Sequence, residues 1–153
     1  MVALGAETAA WKPALFDAHQ NDTVVALSEL ILPATDTPGA KAALVNRYLD
    51  KLLHDGGEEV RGRFLEGLAW LDGYSIKKYA RPFVRCTAAE QTATLEAMDA
   101  GSEPGIGSGH AFFGLAKRMI SQVYYATEIG FKELNKGGRV PGALSGCRHS
   151  EHA

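Results

Sequence analysis

The residues of this chain that could ligate a metal lie close together near its C-terminus. Cys147, His149 and His152 would supply one sulfur and two imidazole nitrogens, which are ligands that Zn²⁺ and similar ions accept. Their spacing lacks the paired pattern of structural zinc sites, and a terminal segment without a ligand is the alternative interpretation. One hypothesis is therefore a stand-alone helical protein that binds a metal or another ligand through these three residues.

A glycine-rich segment, Gly105-Ile106-Gly107-Ser108-Gly109, precedes a predicted helix and looks like a phosphate-binding loop, since helix N-termini attract anions. A dinucleotide-binding motif also requires a preceding strand within a βαβ unit, and no strand pattern precedes this segment. His19, His54 and His110 stand alone, and no serine or cysteine has a base partner that the sequence suggests. We therefore predict no catalytic residue and no bound cofactor in this chain, and a metal only under the hypothesis above.

Composition and charge narrow the class of protein further. The chain has 153 residues, of which 46% are hydrophobic and 22% are charged, as is typical of one folded domain. Its net charge of −2 divides into −5 over residues 1–76 and +3 over residues 77–153, and this scattered basic excess predicts no nucleic-acid partner. No apolar run is long enough to cross a bilayer, so we also expect no direct membrane span.

The first residues and the two cysteines do not decide in which cellular compartment the protein works. The first residues lack a basic region followed by an apolar stretch, so the chain as given shows no signal peptide, and it is either cytosolic or an exported protein whose leader is removed. Cys86 and Cys147 fit both options, as two buried thiols in the first case and as one disulfide in the second.

Helical periodicity dominates the sequence and predicts an all-α fold. We expect a compact bundle of about five helices in a single domain over residues 1–153, because apolar residues recur at helical spacing and the connections are short. Residues 1–20 are expected to form an N-terminal extension. Residues 137–153 are rich in Gly, Pro, Ser and His without any period, which predicts an irregular C-terminal arm.

Capping residues predict where the helices begin and end. Asp22 or Thr23 would cap the first helix, which Pro33 would end. Thr37 would cap the second, with Pro38 at its first position, where the missing N–H has no effect.

Two further helices show equally clear boundaries. Thr87 and Glu90 form a capping box that opens the fourth helix, and Gly101 would end it. The last helix is expected to begin near Gly109 and to fade at Gly130.

The apolar spacing also predicts which residues are buried. In the second helix six apolar residues recur in pairs four apart and are expected on the core face: Leu44, Val45, Tyr48, Leu49, Leu52 and Leu53. Its polar residues, including Arg47, Asp50 and Lys51, are expected on the opposite face. The third helix is predicted to bury Val60, Phe64, Leu68 and Leu71.

Two aromatic residues fall outside these buried stripes. At 100° per residue, Trp70 lies with Arg63 and Glu66, and Tyr125 lies with Gly114, Arg118 and Ser121. Large aromatics beside arginine on an otherwise polar face are typical of partner-binding anchors. The alternative is that each packs under another helix or under the C-terminal arm.

A segment from Leu30 to Ala40, with the sequence LILPATDTPGA, resembles the signature opening of the gluconate 2-dehydrogenase subunit 3 family. Further matches follow in order between residues 64 and 147: Phe64, Gly67-Leu68, Leu71-Asp72, Phe83, Gln91, Phe112-Phe113, Lys117, Tyr124-Tyr125, Gly130, Pro141-Gly142 and Gly146-Cys147. The opening segment is the most specific of these matches. The resemblance spans residues from about 24 to 147.

The resemblance implies a non-catalytic small subunit. Members of this family accompany a large FAD-binding oxidoreductase subunit of the glucose–methanol–choline (GMC) type, in several cases together with a cytochrome c subunit. Their dehydrogenases act on gluconate, on related polyols or on C3 of glucosides, and FAD is expected in the partner subunit. Such small subunits are exported with a twin-arginine leader, which this sequence does not show, so a periplasmic location is an expectation from the resemblance alone.

An oxidising periplasm, as the resemblance implies it, makes the two cysteines a candidate disulfide. A bridge between Cys86 and Cys147 would close a loop of about 61 residues and would stabilise the fold by roughly 4 kcal/mol on the chain-entropy model. A bond from Cys147 to the large subunit is the competing prediction.

The same reading predicts a partner-binding surface. It is built from Trp70, Tyr125 and Arg118 together with Val140, Pro141, Gly142 and Cys147 of the arm.

Overall fold

The computed structural model describes residues 10–135, and within this range the chain is entirely helix, turn and loop. Six α-helices follow one another: α1 (Ala18–Ile31), α2 (Val45–Asp55), α3 (Glu58–Tyr79), α4 (Ala88–Ala100), α5 (Gly107–Ala126) and α6 (Glu128–Leu134). A single 3₁₀ turn, Phe83–Arg85, connects α3 to α4. The predicted all-α class is confirmed, and α6 is an additional short helix where the sequence predicted a fading end of the last one.

The first helix begins earlier than the sequence predicted. Asp17 is its N-cap, because the Asp17 carboxylate accepts the N–H of Gln20 at 2.7 Å and the Gln20 side chain accepts the N–H of Asp17 at 2.9 Å. The cap predicted at Asp22 or Thr23 is wrong, since both lie inside α1. The last residues of the predicted N-terminal extension are therefore helical.

The fourth helix begins and ends where its sequence predicted. The hydroxyl of Thr87 accepts the N–H of Glu90 at 3.2 Å, and the Glu90 carboxylate accepts the N–H of Thr87 at 2.9 Å. Gly101 ends the helix with φ +64°, a left-handed conformation that favours glycine. Both signals are local to the helix, and this explains why the sequence sufficed.

The start of α2 differs from the prediction, because the helix begins only at Val45 and residues 40–44 before it form turns. The Glu29 carboxylate accepts the N–H of Ala34 at 2.9 Å and that of Lys41 at 2.8 Å, which ties the segment over residues 30–40, here called the signature segment, back onto α1. A Cβ on Gly39 would lie 2.6 Å from the same carboxylate, so glycine is needed there. These long-range bonds override the local helix-start signal of Thr37 and Pro38.

Helix α5 is the centre of the bundle and contacts α1, α2, α3, α4 and α6. Its Phe112 ring meets Phe64 of α3 edge-to-face at 5.4 Å between centroids. Gly67 lies directly beneath Phe112, where an added Cβ would come within 1.9 Å of the ring. The missing side chain of Gly67 therefore lets α3 and α5 approach closely.

A break after Ala126 separates α5 from α6. Thr127 caps α6, since its hydroxyl accepts the N–H of Gly130 at 3.1 Å. Gly130 packs against the backbone of Tyr124, with room for no Cβ. None of the helices between residues 10 and 135 has both the length and the apolar content that crossing a bilayer requires.

Candidate functional site

Trp70 lies on α3 and is half-buried rather than exposed. Its ring stacks on Tyr74 with centroids 5.1 Å apart, and its far edge lies against Gly109 of α5, where an added Cβ would be 2.2 Å from the indole. A cavity of about 400 Å³ opens beside it, lined by Arg63, Glu66, Gly67, Trp70, Ser108, Ala111, Phe112 and Leu115. One edge of Trp70 is thus packed under α5, while another borders a surface cavity with charged walls.

Tyr125 lies at the C-terminal end of α5, beside the signature segment. It is half-buried and meets Tyr124 edge-to-face at 5.1 Å. The Tyr124 hydroxyl donates to the carbonyl of Pro38 at 2.7 Å, which ties the signature segment to α5. A small cavity of about 130 Å³ between them is lined by Leu32, Pro33, Thr35, Thr37, Tyr124, Tyr125 and Glu133.

The structure does not bring Trp70 and Tyr125 together. Gly109, which contacts Trp70, and Tyr125 are sixteen residues apart on α5, which corresponds to about 24 Å along the helix and nearly opposite sides of it. Arg118 is exposed and lies on the same side of α5 as Tyr125. A partner-binding role for these three residues stays a prediction, but Trp70 would have to act at a different place from the other two.

The predicted residues of the C-terminal arm lie outside the described residues: Val140, Pro141, Gly142 and Cys147. The same holds for His149 and His152. Between residues 10 and 135, no group of three or more His, Cys, Asp or Glu side chains is placed to hold a metal ion.

The buried face of α2 is only partly the one that the sequence predicted. Val45, Leu49 and Leu53 are buried, but Tyr48 is 57% exposed and Leu52 is 48% exposed. Leu44, which precedes the helix, is 40% exposed and has φ +57°. Asp50, expected on the solvent face, is buried at 2% exposure. Val60 of α3, also predicted in the core, is exposed.

The Asp50 carboxylate explains this rotation of α2. It accepts the backbone N–H groups of Ala14, Leu15 and Phe16 at 2.6, 3.0 and 2.8 Å, so the segment before α1 is clamped onto α2. On the same side of α2, the Asn46 amide donates to the Asn21 side chain at 2.8 Å. A buried polar group is tolerated when it is fully hydrogen-bonded, and here the partners are backbone donors from a distant part of the chain.

The exposed apolar side chains are the functional candidates that the sequence interpretation missed. At 100° per residue, Tyr48 and Leu52 lie about 60° and 20° from Val45, on the side away from Asp50. The available signal was the width of the apolar face, since five large apolar residues among the eleven of α2 cover more of a helix than one neighbouring layer buries. The sequence of α2 itself does not indicate which edge of its apolar face is exposed to solvent.

Two of the described histidines, His19 and His110, connect different structural elements. His19 on α1 pairs with Asp72 on α3, and the other oxygen of Asp72 accepts the N–H of Phe83 at 3.0 Å. The His110 ring bonds to the carbonyl of Met98 at 2.8 Å and covers the end of α4. No nucleophilic side chain is bonded to either ring among the described residues.

Cys86 is buried directly after the 3₁₀ turn. Its thiol donates to the carbonyls of Pro82 at 3.5 Å and Arg81 at 3.8 Å. Burial raises the pKa of the Cys86 thiol, and the neighbouring Glu90 carboxylate raises it further. The predicted partner, Cys147, lies outside the described residues, so the disulfide stays a prediction.

The residues that carried the resemblance are mostly packing residues. Phe83 is held at both its backbone groups, by Asp72 and by the Gln91 side chain, which donates to its carbonyl at 3.0 Å. Lys117 on α5 pairs with Asp99 on α4. These matching residues therefore contribute to the contacts that hold the helices of the described part of the chain together.

Comparison with known proteins identifies the origin of this pattern. A family model described as gluconate 2-dehydrogenase subunit 3 matches residues 18–141. The match includes the signature segment and the other matching residues as far as Pro141. Searches of curated proteins and of solved structures found no match.

Proposed function

This chain belongs to the gluconate 2-dehydrogenase subunit 3 family, and on this premise we propose that it is the non-catalytic small subunit of a periplasmic FAD-dependent sugar or glucoside dehydrogenase. Its role in this proposal is to support the folding, stability or export of a large catalytic subunit of the GMC type. The large subunit holds the FAD, and the small subunit holds no cofactor. A cytochrome c subunit that accepts electrons is an optional third component of the proposal.

The observation that carries the proposal is the family match, because it extends over most of the chain and its description names a subunit of a dehydrogenase. A subunit needs a surface for its partner. The described residues present such surface in excess of what a lone bundle requires, since large apolar side chains of α2 and α6 are exposed to solvent.

Co-expression with a flavin-binding GMC-type subunit encoded beside this chain tests the proposal. We expect the two chains to co-purify with flavin in a fixed ratio, and the yield of folded flavoprotein to fall when the small subunit is omitted. A flavoprotein that folds and oxidises its sugar without this chain, and never co-purifies with it, would contradict the proposal.

The periplasmic location has a separate test. The two genes, expressed with their native upstream sequences, should give a complex in the periplasmic fraction. Recovery of the intact complex from the cytoplasmic fraction alone would refute this part of the proposal and leave the association itself untouched.

A further inference from the structure

A groove runs between α2 and the junction of α5 and α6. It has a volume of about 380 Å³ and is lined by Tyr48, Leu52, Gln122, Val123, Ala126, Thr127 and Glu128. We call it the α2–α6 groove. Its walls come from three helices, so its shape depends on the tertiary structure and not on one surface helix.

Exposed apolar side chains concentrate at this groove and its flanks. Tyr48 and Leu52 line it with about half of each side chain in solvent. On α6, Phe131 is 54% exposed and Leu134 is 62% exposed, one and two turns beyond the groove residue Glu128. Together with Leu44, these are five of the seven large apolar residues that are exposed between residues 10 and 135. Exposed apolar side chains concentrated on neighbouring elements in this way are typical of a protein–protein contact site.

The exposure of Tyr48 and Leu52 is built into the fold. The bonds from Asp50 to three backbone N–H groups and from Asn46 to Asn21 fix the rotation of α2 about its axis. Rotating α2 to bury Tyr48 and Leu52 would break these bonds. The groove is therefore a fixed feature of the isolated bundle and is preorganised for a partner.

The charges around the groove select the kind of partner. Lys51 pairs with Asp55 at 2.8 Å, and Lys132 pairs with Glu128 at 2.6 Å, both within one helix turn. Each edge of the groove thus carries one positive and one negative group that neutralise each other. A strongly charged partner segment gains nothing from such edges, whereas an apolar segment finds Tyr48, Leu52 and Val123.

We propose that the α2–α6 groove binds the apolar face of a helix from the large flavin-binding subunit. A channel between neighbouring helices fits a third helix, whose side chains at positions i, i+3 or i+4 and i+7 enter it. Tyr48 and Leu52 are the anchors on this chain, and Phe131 extends the contact along α6. This inference rests on the proposed function and adds to it the surface at which the subunits meet.

Serine substitutions test the inference in the co-expressed complex. The double variant Tyr48→Ser/Leu52→Ser should raise the Kd of the complex, followed by light scattering on dilution, about 30-fold or more, as expected for loss of interface anchors. The matched control is Ile76→Ser on α3, because Ile76 is 52% exposed, close to the 48% of Leu52, and does not line the groove. The control should change the Kd by less than about 3-fold.

Thermal unfolding of the free variants keeps the test independent of folding. About half of each of Tyr48 and Leu52 is already in solvent, so the Tm of the free double variant should fall by less than about 8 °C, and the variant should stay folded at the temperature of the association measurement. The single variant Leu52→Ser, with the smaller loss of apolar surface, repeats the measurement if the double variant unfolds early.

Three results would overturn the inference. One is equal weakening by Ile76→Ser and by the groove variants, and a second is no weakening by either. The third is a concentration-dependent dimer of the isolated chain that the groove variants abolish, since a second copy would then occupy the groove. Failure of the wild-type chain to associate with the flavoprotein at all is a different result, because it contradicts the proposed function itself.

Discussion

The two ends of α5 differ in how far the large side chains around them are buried. At its N-terminal half, Trp70 and Phe112 fit against Gly109 and Gly67, two glycines that leave room for rings between α3 and α5. At its C-terminal end, the neighbouring helix α2 leaves Tyr48 largely in solvent. An aromatic residue among charges can therefore be packed, and a residue on an apolar stripe can be exposed. What decides is the shape and hydrogen bonding of the helix opposite.

The comparison makes Asp50 the residue on which the C-terminal end depends most. Asp50→Ala should lower the free energy of unfolding by on the order of 4 kcal/mol, because it leaves three backbone N–H groups without their acceptor and a void inside the bundle. Urea unfolding of the free chain measures the loss. The neighbouring Lys51→Ala, which removes only an exposed ion pair, is the control and should leave the free energy of unfolding nearly unchanged. Equal small losses in both variants would mean that Asp50 does not set the rotation of α2.

Substitution of a glycine that packs against a ring at the N-terminal half of α5 is expected to give the second largest loss of stability. Gly67→Ala should cost about 3 kcal/mol, because its Cβ would overlap the Phe112 ring at 1.9 Å. Gly73→Ala on the same helix meets no atom within 4 Å, and should stabilise the chain by up to about 1 kcal/mol through the better helix propensity of alanine. Thermal unfolding of the pair compares them directly. A tolerated Gly67→Ala would show that α3 and α5 are not locked at this crossing.

Trp70 tests whether a residue at the N-terminal half of α5 serves packing or partner binding. The sequence predicted a partner anchor, whereas the structure buries about half of the ring. Trp70→Ala should destabilise the free chain by about 2 kcal/mol, which is less than a fully buried aromatic costs because part of the ring already faces solvent. Association with the flavoprotein should change less than in the groove variants. An unchanged Tm with a large loss of association would restore Trp70 as the principal anchor.

The smallest expected change in the free energy of unfolding comes from the N-terminal cap of α4. This cap lies in neither region, so it shows how much a purely local interaction contributes. The Thr87 backbone N–H holds the pKa of the Glu90 carboxyl below its ordinary value of 4.5, and Arg81 adds to this. Stabilisation by a group with a lowered pKa is fully present above the ordinary pKa and is lost as the pH falls through the folded-state value. Glu90→Gln keeps an acceptor for the cap but does not titrate, so the wild type should be the more stable at pH 6. This advantage should shrink as the pH falls below 4.5 and should be lost once the pH is below the lowered pKa of Glu90 in the folded chain. A stability difference that does not depend on pH would contradict this assignment.

How far the sequence predicts this structure depends on the distance of the deciding partner. The capping box of Thr87 and Glu90 and the glycine end at Gly101 involve residues close in the chain, and both predictions hold. The helix predicted to begin at Pro38 does not form there, because the backbone N–H of Lys41 donates to the Glu29 carboxylate instead of to a carbonyl of that helix. The core face predicted for α2 is right for only half of its residues, because the donors to Asp50, which fix its rotation, come from more than thirty residues away. Such pairings leave no periodic trace in the sequence.

The same reasoning applies to the candidate site. The sequence located Tyr125 at an end of α5 that the structure places beside the signature segment, and the resemblance led to the family that the comparison confirms. It could not locate the α2–α6 groove, because Leu52 and Leu53 look alike in an apolar pattern. Only the fixed rotation of α2 separates the buried one from the exposed one.

Hydroxyl-radical footprinting of the chain, free and in complex with the flavin-binding subunit, tests the central claim most directly, since it reports the solvent accessibility of individual side chains in both regions at once. We expect the labelling of Tyr48, Leu52 and Phe131 to fall several-fold in the complex, while the labelling of Trp70 and Tyr74 stays unchanged. Protection of Trp70 and Tyr74 with undiminished labelling of Tyr48 and Leu52 would contradict it, and would place the subunit contact at the N-terminal half of α5.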